Sequence, residues 1–115
     1  MAAQDRELTV MFSDMRGFTQ LSEHLSPKDL QHLLNRLFSR LSVVIRQQNG
    51  TIDKFMGDCV MAFWGAPVAS PDHARMAVQA AMAMRQVMVQ INEEHVREGL
   101  PAIGMGVGIH TGHML

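Results

Sequence analysis

From Ser26 to Gly50 the chain reads SPKDLQHLLNRLFSRLSVVIRQQNG, and Leu30, Leu33, Leu34, Leu37, Phe38, Leu41, Val44 and Ile45 recur at helical spacing along it. Ser26 is placed to cap a helix, Pro27 suits its first position, Asp29 completes an approximate capping box and Gly50 supplies the stop. One continuous apolar stripe must be buried against another layer of structure. The whole chain has 115 residues, which is room for one core and not two, so a single domain over 1–115, or part of one, is expected.

The rest of the pattern supplies that layer. In ELTVMFSD, Leu8, Val10 and Phe12 alternate with Thr9 and Met11 before polar Ser13 and Asp14, which predicts a core strand. Gly17 marks a turn, and Phe18, Leu21 and Leu25 predict a short helix just beyond it. TIDKFMGDCVMAFWG predicts two strands reversing around Met56, Gly57 and Asp58. A second Ser-Pro entry at Ser70 and Pro71 opens another long helix, with Ala74, Ala77, Val78, Ala81, Met84, Met88 and Ile91 on one face and an end near Gly99 and Pro101. AIGMGVGIHTG predicts a last strand, whose glycines invite close approach by a ligand or a second backbone. Strand, helix, helix, strand, strand, helix, strand is the order of an α+β, ferredoxin-like (split βαβ) sheet with helices packed on one face.

Composition excludes several function classes. Apolar residues make up 47% of the chain and charged residues 18%, so a globular domain is favoured over disorder. The net charge is −1 and the ten Lys and Arg are scattered, which leaves no footprint for polymeric nucleic acid. The single Cys59 forms no internal disulfide and is expected to pack inertly in its strand. No apolar run reaches the length of a membrane span and no leader pattern opens the chain, so a cytoplasmic setting without membrane contact is expected. The eleven Met are expected to fill the core.

The chemistry-bearing residues cluster at two turns. In the expected topology the second strand of the hairpin lies antiparallel beside the first strand, so Asp14 at the end of one meets Asp58 at the start of the other. Two carboxylates so placed repel each other unless a cation lies between them, and oxygen ligands suit Mg²⁺ or Mn²⁺. Gly17 opens a helix whose free N–H groups can take phosphate oxygens, so metal and phosphate binding would converge, as a nucleoside triphosphate requires. Taken singly, either Asp is better explained by a turn or a solvated loop, and it is their pairing beside a glycine-initiated helix that favours a metal. Lys54 is open to two readings, a snorkelling or Asp53-paired side chain and a donor to an acceptor nitrogen of adenine. His110 and His113 stand three apart on a strand and therefore on opposite faces, which argues against a metal pair.

VMFSDMRGFT, DKFMGDCVMAFWG and GVGIHTG, in that order, resemble the catalytic domain of the class III adenylyl and guanylyl cyclases along the whole chain, with its palm-like fold. The resemblance implies that Asp14, Asp58 and the Met15 carbonyl hold two metal ions and that the backbone of Gly17, Phe18 and Thr19 cradles the triphosphate. Some family members have a phosphate-contacting Arg just after Gly112, for which His113 is a weaker substitute. The resemblance also implies conversion of ATP to 3′,5′-cyclic AMP and pyrophosphate by the two-metal arrangement, at sites shared between the two chains of a homodimer. Relatives that use GTP carry Glu at the position of Lys54, so Lys54 implies ATP. Family domains continue past the final strand with a second base selector and the Asn and Arg of the transition state. These 115 residues are therefore expected to be C-terminally incomplete and nearly inactive alone, in a parent protein that could carry a membrane anchor elsewhere. Two alternatives stand beside this: a non-catalytic cyclase-homology domain that dimerises or binds nucleotide, and a diguanylate cyclase, whose Gly-Gly-Asp/Glu-Glu-Phe signature is missing from MGDCVMAF.

Overall fold

In the computed structural model, which describes residues 6–56, 58–66 and 69–114, turn residues set the element boundaries. The strand β1 (Arg6–Arg16) gives way to α1 (Phe18–His24) across Gly17, whose φ of 84° lets the chain turn within one residue. The helix α2 (Pro27–Gln47) starts as expected, with the Ser26 side chain accepting the Asp29 N–H at 3.2 Å. It ends differently. Asn49 takes the left-handed conformation with φ 66°, and Gly50 is needed for space, since a Cβ there would lie 2.6 Å from the Trp64 ring.

The hairpin strands β2 (Thr51–Met56) and β3 (Cys59–Trp64) follow, and then α3 (His73–Glu98) and β4 (Gly104–Met114). Gly57, the expected point of reversal, lies outside the described residues. The second Ser-Pro does not start α3, because the Ser70 hydroxyl lies against Met76 Sδ and Asp72 occupies the cap position. The buried stripe includes Ala77, Ala80, Met84, Val87, Met88 and Ile91, while Ala74 and Val78 face solvent. Gly99, with φ 72°, ends the helix as expected.

The four strands form one antiparallel sheet in the order β2-β3-β1-β4. A helical crossover joins β1 to β2 with β3 inserted between them, and α3 joins β3 to β4 with β1 inserted, which is the ferredoxin-like arrangement. The core lies between the sheet and the long helices, around Leu37, Leu41, Ile45, Met84 and Ile91. Trp64 closes one end and donates its indole N–H to the Gln48 carbonyl at 2.9 Å. At the other end Asn92 bonds both backbone groups of Ile103, fixing α3 to the start of β4. Arg40 of α2 grips Glu94 of α3 through two hydrogen bonds, which raise the Arg40 pKa and hold the Glu94 carboxyl below its ordinary value.

β1 buries the opposite row from its most apolar one. Thr9, Met11, Ser13 and Met15 face the helices, and Phe12 is 48% exposed on the far side. The polar members of the buried row are satisfied where they stand. Thr9 Oγ1 lies 2.7 Å from both His73 Nδ1 and Thr111 Oγ1, and His73 Nε2 lies 2.9 Å from Glu7. Among the described residues, no helix is long and apolar enough to cross a membrane.

Candidate active site

The open face of the sheet collects the chemistry. Asp14 stands opposite Cys59 in the β1–β3 pairing, and the next residue, Met15, donates its N–H to the Asp58 carbonyl at 2.9 Å. Asp14 and Asp58 therefore occupy adjoining positions at the same end of paired strands, although β1 runs on to Arg16, held there by its pairing with β4. In an extended strand the N–H and C=O of one residue point to the same neighbour, so the Met15 carbonyl is directed toward Asp58. The Met15 side chain is buried in the core and offers only this backbone oxygen. Among the described residues no three His, Cys, Asp or Glu side chains gather, so a cation here would draw on two carboxylates and a carbonyl, an all-oxygen set suited to a hard divalent ion.

Gly17, Phe18 and Thr19 follow directly and turn the chain away from the sheet, with Leu21 anchoring α1 in the core. Phe18 is half-buried and Thr19 exposed. This places three successive backbone N–H groups at a strand-to-helix turn beside Asp14.

Lys54 reaches the open face through an irregularity. Ile52 pairs with Ala62, but Lys54 pairs with Met61, leaving Asp53 as the extra residue of a bulge. Met61 also pairs with Phe12, so the bulge moves Lys54 to the open side, and Phe55 turns inward to meet Phe38 with ring centroids 5.0 Å apart. Among the described residues no ion pair or hydrogen bond engages the Lys54 side chain, which does not favour the reading that pairs it with Asp53. Lys54 lies two strands from Asp14, about 10 Å across the sheet from strand spacing alone.

A hollow of about 250 Å³ lies between β1 and β4, lined by Phe12, Asp14, Arg16, Cys59, Gly106 and Gly108. Larger hollows flank the helices, one of about 700 Å³ beside Phe38 and Phe55, but the carboxylates are not there. Cys59, expected to pack inertly, borders this site. His113 lies well along the sheet from it, since β1 pairs Glu7 with His113 and Asp14 with Gly106. Arg16 was not foreseen, whereas the glycines of the last strand, Gly106 among them, were expected to invite close approach. Glycines at every second position, Gly104, Gly106 and Gly108, are the signal that one side of β4 is bare.

Over residues 1–115 the chain matches the family described as the adenylate and guanylate cyclase catalytic domain. It is 40% identical over 111 residues to adenylate cyclase 1 of Rhizobium meliloti (strain 1021), covering 96% of this chain and 17% of that protein. Among solved structures, the adenylyl cyclase CyaB from P. aeruginosa superposes with a TM-score of 0.93 at 40% identity, covering 98% of this chain and 59% of the other. The guanylyl cyclase Cya2 gives 0.89 at 38%, covering 98% and 57%. The chain thus spans under two thirds of these solved domains and a small part of the curated relative.

Proposed function

The chain belongs to the class III nucleotide cyclase catalytic-domain family, and from that premise we propose that it carries the metal and triphosphate half of an adenylyl cyclase site. The observation that supports this most is the adjacency of Asp14 and Asp58 at one end of paired strands, where the Met15 N–H donates to the Asp58 carbonyl beside a sheet face left open. Asp14, Asp58 and the Met15 carbonyl would hold two Mg²⁺ or Mn²⁺ ions. When bound, these ions supply the charge neutralisation that attack of the ribose 3′-hydroxyl on the α-phosphorus and departure of pyrophosphate require.

The residues of the chain do the rest. The backbone at Gly17, Phe18 and Thr19 orients the phosphates, and Phe12 and Cys59 give the hollow an apolar rim that limits water around the reacting groups. Lys54 reads the purine by donating to a ring nitrogen that adenine presents as an acceptor. The family resemblance implies that a complete site takes its Lys from a second copy, giving a homodimer with two composite sites. Similarity to both adenylyl and guanylyl cyclases leaves the base choice to Lys54 and not to the fold. These residues alone, at less than two thirds of the solved domains, are expected to turn over slowly.

The test is cyclic nucleotide production from ATP and from GTP with Mn²⁺, by this chain and by one extended to the length of its solved relatives. Cyclic AMP from the extended protein, with the preference for ATP reduced in Lys54→Glu, is the expected result. No product from either would favour a domain that only dimerises or binds nucleotide.

A further inference from the structure

We propose that Arg16 is a polyphosphate-binding residue of the open-face site, an inference that rests on the nucleotide reading above. Arg16 follows Asp14 by two residues in β1, so both side chains emerge on the open face. Their partners across β4 are Gly104 and Gly106. With no side chain at either glycine, Arg16 lies along the strand. A Cβ on Gly104 would stand 3.5 Å from Arg16 Cβ, and one on Gly106 would stand 2.8 Å from Arg16 Nη2 and 2.6 Å from Asp14 Oδ1. The guanidinium and the carboxylate thus border one small space above Gly106, at the floor of the hollow.

They do not satisfy each other there. Among the described residues neither the Asp14 nor the Arg16 side chain enters a hydrogen bond or an ion pair, so the guanidinium keeps its N–H donors for a ligand. A free anion entering this space meets the Asp14 carboxylate, and a free cation meets Arg16. A cation that carries its own phosphate oxygens suits both at once, with the cation on Asp14 and the oxygens on the planar donors of Arg16. A metal–polyphosphate is the ligand class that fits. Gly106 has a defined part in this, since any side chain would fill the space where the two charges meet.

Calorimetric titration of the chain with Mn²⁺ alone, and with tripolyphosphate at saturating Mn²⁺, separates the possibilities. Arg16→Gln is expected to weaken tripolyphosphate about ten-fold, the scale of one charge-assisted hydrogen bond. Its affinity for Mn²⁺ alone should hold or rise, because a neighbouring positive charge has gone. Arg16→Lys should recover part of the loss, and Gly106→Ala should reproduce it. Unchanged tripolyphosphate affinity in Arg16→Gln, with the wild-type chain binding both probes, would overturn this inference and leave the nucleotide reading intact. Parallel loss of Mn²⁺ and tripolyphosphate would also overturn it, by showing a structural role. A wild-type chain that binds neither probe would overturn both.

Discussion

On the covered face of β1, Thr9, Met11, Ser13 and Met15 are almost wholly removed from solvent, whereas Phe12, one residue from Met11, is half exposed on the other face. The covered face accepts polar groups because partners are built in: His73, Thr111 and the Val60 carbonyl meet the two hydroxyls. The open face accepts apolar groups such as Phe12, and it sets charges among glycines that leave room for something else to enter. Polarity along a strand therefore does not by itself tell which side is core. The availability of partners decides it.

Breaking this contrast should give effects of graded size. Met11→Ala is expected to cost about 2–5 kcal/mol of stability by opening a cavity in the covered face, measured by urea unfolding. His73→Ala should cost about 1–3 kcal/mol, because Thr9 then loses a buried partner. Phe12→Ala should cost about 1 kcal/mol or less at low protein concentration, with a larger deficit as concentration rises if a second copy covers the open face. A loss as large as that of Met11→Ala at every concentration would erase the distinction between the faces.

The smallest effect is expected outside both faces, at Arg40 and Glu94. The Arg40 hydrogen bonds hold the Glu94 carboxyl below its ordinary 4.5, so the pair's stabilisation is complete above that pH and is lost as pH falls through the lowered value. Glu94→Gln should flatten the acid limb of the melting-temperature profile. An identical profile would mean that the pair does not help to hold α2 to α3.

The element order was legible because the punctuation is local: Gly17, Ser26 with Pro27, and Gly99 each act within a few residues of their own position. The meeting of Asp14 and Asp58 followed from antiparallel pairing once the order was right. What could not be read depends on partners distant in sequence. The inward row of β1 is set by His73 and Thr111. The side on which Lys54 emerges is set by a bulge that exists only against β3. The place of Arg16 depends on what Gly104 and Gly106 lack. Ser70 with Pro71 repeats the signal of Ser26 with Pro27, but its hydroxyl turns to Met76 and the cap fails.

The proposed metal site for ATP on the open face depends first on the carboxylate of Asp14. Its most direct test is Mn²⁺-dependent cyclic AMP formation by the domain extended to its relatives' length, wild type against Asp14→Asn, with thermal melting of both. Turnover is expected to fall at least about 100-fold with an unchanged melt. Full turnover in Asp14→Asn would contradict it.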